Sequence, residues 1–509
     1  MDEGAEASDI SGLARRGILS LGGAGVSAVA NLLLIVAVTR ATGKETAGYL
    51  FSSTSLFIVL EGLCALGTAT GVVYFIARSR ALKQGHLVRP TLRTALGPVV
   101  LVSLVAALAM FLLAPVAGEA LGADSPQPVL FLRILALFLP FAVVYDVLIA
   151  ATQGFHTMTP TVLLEKVGRP VLQLLLLVLA LTVGAAWLLP VAWMGPYLLG
   201  LLGVAFALRR LLRRNDRDSP KQLAGAEAPA GIDRRAFWAF TAPRGLAAVA
   251  QLSLQRLDIV LVAIYLGAGP AAVYTAATRF VVLGQLGSQA VALAVQPKLS
   301  ELMAREEIAA TRRVYKTSTA WVVAVTWPVH LIVAMLSPLL MQLFGRGYGD
   351  GQPVIVLLAG AMLVATSCGM VTMLLLMSGR SRENLLNVLV ALVTNLSLNV
   401  VLIPRMGIMG AAIAWAVAIV LSNLLPLVQV HRAFDLDPFG TGTVRVGALA
   451  LACFTLLPGA AWLASGEAPM VIGAVAVGCI AYGLGLFVLR RVLELDDLVQ
   501  SIRRKASSG

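Results

Sequence analysis

Four arginines lie inside long apolar stretches of this 509-residue chain: Arg133, Arg244, Arg256 and Arg279. An arginine in such surroundings is costly because its guanidinium stays charged, so it needs either a partner or a function. The planar guanidinium donates paired hydrogen bonds to the oxygens of a phosphate or a carboxylate. These residues therefore predict a site that holds an anionic group.

Three carboxylates share the apolar stretches: Glu61, Asp146 and Asp258, the last of which closely follows Arg256. A carboxyl group at membrane depth can bind a proton or a cation in one state and release it in another. We interpret Glu61 and Asp146 as candidate coupling carboxylates. The alternative for each is a local hydrogen bond to a neighbouring helix.

No residue pattern indicates a metal, a cofactor or a catalytic centre. The four histidines are scattered without metal-ligand spacing, and the four cysteines all lie in apolar stretches. The sequence has no paired-carboxylate loop, no Ser/His/Asp arrangement and no nucleotide-binding motif. We therefore expect neither a metal nor a cofactor, and we expect that the chain is not an enzyme.

The elements that carry these charges are predicted to be membrane-spanning helices. The chain is 59% hydrophobic and only 13% charged, with a mean hydropathy of +0.88, which lies outside the range of soluble proteins. Apolar runs of about 20 residues recur along it, and each can cross a bilayer. The pattern predicts an all-α, polytopic membrane protein with about 14 transmembrane helices.

The distribution of basic residues predicts the orientation of these helices. Of the 39 Lys and Arg residues, 31 fall in segments that are cytoplasmic if the N-terminus is cytoplasmic, and 4 fall in outer loops. This bias predicts a multi-pass protein of the cytoplasmic (inner) membrane with both termini in the cytoplasm. The net charge of +13 then indicates contact with anionic membrane lipids and not with nucleic acid.

Three landmarks recur at nearly the same spacing along the chain, in the pairs Gly43 and Gly267, Tyr49 and Tyr274, and Gly154 and Gly379. This spacing predicts two six-helix halves with the same orientation, an arrangement in which transporters bind substrate between the halves. The predicted domains are an N-terminal six-helix bundle at 1–209, a cytoplasmic linker at 210–235, a C-terminal six-helix bundle at 236–433, and helices 13–14 with a cytoplasmic tail at 434–509.

Arg256 and Arg279 are predicted to lie at the same depth in the membrane. Arg256 precedes Gly267 by about three helical turns, and Arg279 follows Gly269 by about the same number. At about 1.5 Å per residue, each is roughly 15 Å from the outer surface and close to the midplane. Because the two spans are antiparallel neighbours, we expect Arg256, Arg279 and Asp258 in one layer. The alternative is an Arg–Asp pair that only joins the two spans.

Several short motifs resemble a known family in their order. Residues 258–267 read Asp-Ile-Val-Leu-Val-Ala-Ile-Tyr-Leu-Gly, and Gln296-Pro297-Lys298, Gly379-Arg380 and Ile403-Pro404 follow. With fourteen spans, this order resembles the oligosaccharide (O-antigen type) flippases of the multidrug/oligosaccharidyl-lipid/polysaccharide exporter (MOP) superfamily. The resemblance implies two six-helix bundles around a central cavity and alternating access. It also implies translocation of a polyprenyl-pyrophosphate-linked glycan, next to glycan polymerase or glycosyltransferase machinery.

On this resemblance, Arg279, Arg256 and Arg244 are predicted to bind the pyrophosphate of the substrate, with Asp258 as a tuning partner. Arg244 lies near the cytoplasmic end of its span and would meet the headgroup in the inward-open state. The alternative for Arg244 is snorkelling to the membrane surface, which is the favoured interpretation of Arg133.

Three other functions stay open at the level of the sequence. A peptidoglycan precursor (lipid II) flippase of the same superfamily shares the fourteen spans and a cationic cavity. A drug/cation antiporter is expected to have twelve spans and an acidic cavity. A membrane glycan polymerase or ligase is disfavoured by short outer loops, because such enzymes usually build their sites on an extramembrane segment.

Overall fold

The computed structural model describes residues 3–121, 125–218 and 233–493, with side chains from residue 22 onward apart from Asp218 and Ser465. Residues 219–232 of the predicted linker and 494–509 of the predicted tail lie outside the described residues. The helices are α1 (Glu3–Ala41), α2 (Lys44–Cys64), α3 (Thr68–Ala81), α4 (Val88–Ala120), α5 (Gln127–Gly154), α6 (Arg169–Val183), α7 (Leu188–Asp218), α8 (Arg234–Leu266), α9 (Ala268–Ala304), α10 (Ile308–Met335), α11 (Ser337–Gln342), α12 (Gln352–Ser367), α13 (Val371–Met377), α14 (Ser381–Met406), α15 (Ile408–Phe434), α16 (Thr441–Leu451), α17 (Leu457–Ser465) and α18 (Ala468–Val488).

Fourteen spans in the described part of the chain are long and apolar enough to cross a membrane, from Gly22–Ala41 to Ala468–Arg491. A helix suits this environment because it satisfies its backbone hydrogen bonds internally, where no water is present to do so. The predicted all-α, polytopic architecture with about 14 transmembrane helices is thereby confirmed.

Two of these spans contain short π-helical segments. One, at Thr161–Gly168, leads into α6, and the other, at Ala452–Leu456, connects α16 to α17. A π segment shifts the side chains that follow it around the helix axis, and such segments are frequent at functional sites.

The second span is interrupted between α2 and α3. Gly67 has a φ of +71°, a left-handed conformation that favours glycine. A Cβ at Gly67 would lie 2.3 Å from the Cα of Gly245 in α8, so a side chain would also push the two backbones apart. Tyr74 of α3 stacks on Phe240 of α8 with ring centroids 4.3 Å apart. The break between α2 and α3 therefore allows α3 to pack closely against α8.

The chain divides into two compact units. The N-terminal unit is Gly22–Ala272, and the C-terminal unit is Val273–Gly509 together with Met1–Leu21. The division between the two units falls inside α9, and α8 packs on α2 and α3 within the N-terminal unit. The predicted division into two six-helix bundles and a helix pair, with its boundaries, stays a prediction.

Within the N-terminal unit, α5 packs against α2, α3, α4 and α7, and α6 packs against α7. Small residues allow these close approaches. A Cβ at Gly200 of α7 would lie 2.8 Å from the ring of Tyr145 in α5, and a Cβ at Gly203 would lie 3.1 Å from Leu164. Glycine at helix contacts in membranes lets the helices approach closely.

Within the C-terminal unit, α10 packs against α12 and α16, and α15 packs against α12 and α14. The hydroxyl of Tyr315 in α10 donates to the backbone oxygen of Cys368 at 2.6 Å. Asn387 of α14 and Gln429 of α15 exchange two hydrogen bonds of 2.7 and 2.9 Å. Buried polar groups in this unit therefore join helices to one another.

Candidate functional site

Seven ionisable side chains meet inside the N-terminal unit, and we call them the N-terminal ionic cluster. They come from five helices and a π segment: Glu61 from α2, Tyr145 and Asp146 from α5, Glu165 from the π segment, Arg169 from α6, Tyr197 from α7 and Arg256 from α8. All of these elements belong to membrane spans, so the cluster lies among otherwise apolar helices.

Arg169 connects two of the surrounding elements. Its Nη2 donates to Glu165 Oε1 at 2.5 Å, and its Nη1 donates to the hydroxyl of Tyr197 at 2.8 Å. The guanidinium also lies over the ring of Tyr197, 5.0 Å from the ring centroid. The Arg169 and Glu165 side chains are each only 25% exposed. Charge-assisted bonds of this kind are strong because little water competes for them.

Glu61 is 6% exposed, and the groups that act on its charge include Asp146, Arg169 and Tyr197. The Oε1 atom of Glu61 is buried and has no hydrogen-bond partner among the described residues. Tyr197 accepts a hydrogen bond from Arg169 and also influences the charge of Glu61, so it belongs to the environment of both groups.

The cluster contains three carboxylates and two guanidinium groups. Asp146 and Glu165 both interact electrostatically with Glu61, and all three carboxylates interact with Arg169. Charges at these separations affect one another far more strongly inside the protein than in water, because the interior screens them less. Within the described part of the chain, no group of three or more His, Cys, Asp or Glu side chains could hold a metal ion.

Arg256 has a different environment from Arg169. It is half-buried, and the groups that interact with it electrostatically are the phenol of Tyr197 and the like charge of Arg169. Its Nε atom is buried and has no hydrogen-bond partner among the described residues. Arg256 therefore lies in a candidate membrane span and forms no ion pair with a carboxylate among the described residues.

Glu165 lies in the π segment, whose two ends have close contacts. Gln153 of α5 donates to the hydroxyl of Thr161 at 3.2 Å, where the segment begins. A Cβ at Gly168, where it ends, would lie 2.6 Å from the backbone oxygen of Leu163. Only glycine therefore fits the last position of this segment without displacing the backbone.

Of the predicted site residues, the structure brings together Glu61, Asp146 and Arg256. The counting of basic residues grouped Arg169 with a cytoplasmic flank. The structure places it in the candidate span Thr161–Val183, where it is hydrogen-bonded to Glu165 and Tyr197. Glu165 and Arg169 stand at an i, i+4 spacing in an apolar span, which places two side chains on one helix face. That spacing is the signal by which the sequence could have revealed the pair.

Asp258 and Arg279 belong to different compact units. Asp258 is 2% exposed on α8 of the N-terminal unit, and Arg279 is half-buried on α9 of the C-terminal unit. The layer that Arg256, Arg279 and Asp258 are expected to share therefore stays a prediction.

Arg244 is exposed and folds back on its own helix. Its Nη1 donates to the backbone oxygen of Phe240 at 2.8 Å, and its guanidinium lies 3.7 Å from the centroid of the Phe240 ring. Arg133 is also exposed and lies over the ring of Phe111 at 5.3 Å. The substrate-binding role predicted for Arg244 stays a prediction.

Fourteen apolar spans in the described part of the chain, with ionisable groups buried among them, define a multi-pass membrane protein. The chain belongs to the polysaccharide biosynthesis protein family, whose model matches residues 13–303. That match includes every residue of the N-terminal ionic cluster.

Two relatives from Haloferax volcanii match part of the chain. The probable flippase AglR is 25% identical over 248 residues, which cover 47% of this chain and 51% of the relative. The probable low-salt glycan biosynthesis flippase Agl15 is 26% identical over 177 residues, which cover 33% of this chain and 36% of the relative. The chain thus matches about a third to a half of the length of these relatives.

Solved structures share the fold over nearly the whole chain. The lipid II flippase MurJ in an inward-closed conformation aligns with a TM-score of 0.72 at 12% identity, covering 94% of this chain and 99% of MurJ. An inward-facing multidrug resistance transporter of the MATE family aligns with a TM-score of 0.65 at 13% identity, covering 81% and 95%. The chain shares its fold with these proteins, and together with the family match this confirms the resemblance seen in the sequence.

Proposed function

We propose that this protein is a flippase that moves a polyprenyl-pyrophosphate-linked oligosaccharide across the cytoplasmic membrane by alternating access, for the synthesis of a cell-surface polysaccharide. Both termini are in the cytoplasm, and the translocated lipid is delivered to glycan polymerase or glycosyltransferase machinery. The family match and the two flippase relatives support this proposal. No step of it requires a catalytic group, a metal or a cofactor.

The observation that carries the proposal is the state of Arg256. A guanidinium at membrane depth that no described carboxylate neutralises needs an anion. A pyrophosphate is a suitable anion because its oxygens match the paired donors of arginine. In the proposal, Arg256 binds the pyrophosphate together with Arg279 and Arg244, and Asp258 adjusts their charge.

The carboxylates of the N-terminal ionic cluster support a coupling role. Three carboxylates surround Arg169, and Arg256 has no carboxylate among its interacting groups. In surroundings that screen charge poorly, the excess negative charge favours uptake of a proton or a cation. In the proposal, Glu61 and Asp146 bind this coupling ion, and Arg169 holds them in place.

The test of substrate binding uses Arg256→Ala in proteoliposomes that contain a fluorescent polyprenyl-pyrophosphate-linked oligosaccharide. We expect at least a tenfold loss of flipping rate, because one charge-assisted phosphate contact contributes about 1.5–3 kcal/mol. The matched control is Arg133→Ala, which removes an exposed arginine outside the cluster. Equal rates in wild type and Arg256→Ala would remove the basis of the proposal.

The same assay separates the alternative functions. Faster movement of lipid II than of the oligosaccharide lipid would identify a peptidoglycan precursor flippase. Gradient-driven movement of a cationic dye, with neither lipid moved, would identify a drug/cation antiporter. Formation of longer glycan chains by the purified protein would identify a polymerase or ligase.

A further inference from the structure

A stripe of exposed residues that includes three polar side chains follows one face of α8 in the N-terminal unit. Arg244, Ala248, Gln251 and Gln255 are all exposed and recur at helical spacing, so they lie on one side of the helix. We call these four residues the α8 polar stripe. It belongs to the candidate membrane span Arg234–Leu266. The roles proposed for the N-terminal ionic cluster do not use the two glutamines, which therefore need a separate explanation.

The packing of α8 on α2 fixes the side of α8 on which the stripe lies. A Cβ at Gly62 of α2 would lie 2.6 Å from the Cδ2 atom of Leu252, so the glycine allows a close contact between the two helices. Ser253 and Leu254, which stand between the two glutamines in the sequence, are buried. The glutamines are therefore exposed on a part of α8 whose neighbouring faces are packed.

The exposed face of α4 in the same unit has the composition expected of a surface in contact with lipid. From Leu101 to Val116, every exposed residue of α4 is apolar. Between residues 247 and 256 of α8, by contrast, the exposed residues are Ala248 and the two glutamines. A carboxamide that faces hydrocarbon is costly, because it finds no partner there for its hydrogen bonds. The α8 polar stripe is therefore composed like a surface that faces water or a polar ligand.

The hydrogen-bonding capacity of the two glutamines is unused within the protein. Neither carboxamide has a hydrogen-bond partner among the described residues. Each carboxamide can donate two hydrogen bonds and accept two. Sugar hydroxyls both donate and accept, whereas the oxygens of an ionised phosphate only accept and an acyl chain does neither. The pair is therefore suited to a neutral glycan and not to the pyrophosphate or the lipid chain.

The glutamines lie between the two arginines of α8 that are proposed to bind pyrophosphate. Gln255 directly precedes Arg256, and Gln251 lies about 7.5 Å from it along the helix axis, at about 1.5 Å per residue. Arg244 lies beyond Gln251, at the other end of the stripe. A glycan attached to a pyrophosphate that is bound at Arg256 is therefore within reach of both carboxamides.

We propose that Gln251 and Gln255 form hydrogen bonds with the sugar residues next to the pyrophosphate, and that they give the protein its preference for a lipid that carries a glycan. This inference rests on the proposed function, because it takes Arg256 as the contact for the pyrophosphate. The arginine binds the charged group, and the glutamines add selectivity for the sugars.

The test measures the affinity of the purified full-length protein in nanodiscs for two lipids, polyprenyl pyrophosphate that carries a trisaccharide and polyprenyl pyrophosphate without sugar. Gln251→Leu/Gln255→Leu removes both carboxamides and keeps a similar side-chain volume. We expect wild type to bind the trisaccharide lipid about tenfold more tightly than the sugar-free lipid, since each neutral hydrogen bond contributes several-fold. The variant should bind both lipids equally, with unchanged affinity for the sugar-free one.

The matched control is Gln84→Leu/Gln352→Leu, which removes two exposed glutamines outside the stripe and should keep the preference for the trisaccharide lipid. The unfolding temperature of each variant shows whether it is folded, and Gln251→Ala/Gln255→Ala repeats the measurement with smaller side chains. Retained preference in the stripe variants, or no preference in wild type, would overturn the inference. If the glutamines faced lipid, the leucine variant would keep the preference and unfold at a higher temperature.

Arg256→Ala distinguishes failure of this inference from failure of the proposed function. If Arg256→Ala loses affinity for both lipids while the glutamine variant keeps the preference, the glutamine role is wrong and the proposed function stands. If wild type binds neither lipid, both are wrong. A sodium ion held by the carboxamides would appear as a loss of sodium-dependent flipping with the preference intact, which would also contradict the inference.

Discussion

Arg169 has a carboxylate on one side and a phenol on the other, so its removal changes the environment of both. Without the guanidinium, Glu165 and Glu61 would face each other as like charges in poorly screened surroundings. The bond from Arg169 to Tyr197 would also be lost, and with it the position of the hydroxyl next to Glu61. The arginine therefore has a structural role that differs from the binding role proposed for Arg256.

We predict that Arg169→Ala lowers the thermal unfolding temperature of the purified protein markedly, because breaking a buried ion pair from one side costs about 3–5 kcal/mol. The matched control is Arg89→Ala. Arg89 also forms an ion pair, of 2.7 Å with Asp216, but both side chains are about half exposed. Exposed pairs contribute roughly 0–1 kcal/mol, so this control should change little. Similar unfolding temperatures for both variants would contradict the role assigned to Arg169.

Glu61→Gln tests the coupling role, because it removes the charge and keeps the shape of the side chain. We predict that flipping by this variant no longer responds to an imposed proton or sodium gradient, while exchange of the lipid without a gradient persists. Glu119→Gln is the control, since Glu119 is exposed near the end of α4. If Glu61→Gln keeps the full gradient response, Glu61 does not bind the coupling ion.

The sequence predicted part of this cluster and missed the rest for a physical reason. Glu61, Asp146 and Arg256 stand alone among apolar residues, which makes them visible as costly charges. Arg169 lies in the first half of its span, where an arginine can also reach the membrane surface, so counting charges could not decide its position. Tyr145 and Tyr197 are common residues in membrane helices, and only the packing of α5 against α7 reveals their partners.

At the scale of the element, the π segment contains Glu165 and leads directly into Arg169, the first residue of α6. We predict that Gly168→Ala destabilises the protein and lowers flipping, because its Cβ would lie 2.6 Å from the backbone oxygen of Leu163. Gly97→Ala on α4 is the control, since nothing lies within 4 Å of its Cβ, and there alanine should stabilise the helix by roughly 0.5–1 kcal/mol. The unfolding temperature and the flipping rate are measured for both variants. Equal values for Gly168→Ala and the wild type would contradict the prediction.

The break between α2 and α3 was not predicted. The apolar residues continue through it, so hydropathy indicates one uninterrupted span. The break depends on the positive φ of Gly67 and on the contact with Gly245, which belongs to α8 and is remote from Gly67 in the sequence. A sequence alone does not reveal contacts at such a distance, although a glycine in an apolar run is a signal that the helix can be interrupted.

At the scale of the whole molecule, the number of spans followed directly from the sequence, because the thickness of a bilayer fixes the length of an apolar helix. The sequence did not indicate which helices form each compact unit. The repeat of glycines and tyrosines indicates where similar helices begin, but it carries no information about which helices pack together. The packing of α8 on α2 and α3 depends on matched surfaces, such as Tyr74 against Phe240, that no periodic pattern shows.

The predicted orientation can be measured with two cysteine variants. In a Cys479→Ser background, we expect Arg313→Cys to react with a membrane-impermeant maleimide only in inside-out vesicles, and Arg346→Cys only in intact cells. Both arginines are at least partly exposed, so a reagent in the solvent can reach either position. The other three cysteines are buried and should react slowly. Labelling of Arg313→Cys in intact cells would contradict the predicted orientation and indicate the opposite one.

The packing of α8 has a consequence for expressing the protein as two fragments. If the chain is divided within residues 219–232, α8 and Arg256 belong to the second fragment. The packing partners of α8, α2 and α3, belong to the first. During co-expression, the two polypeptides would then have to associate through the contact of α8 with α2 and α3. Each fragment made alone would lack either α8 or the two helices on which it packs.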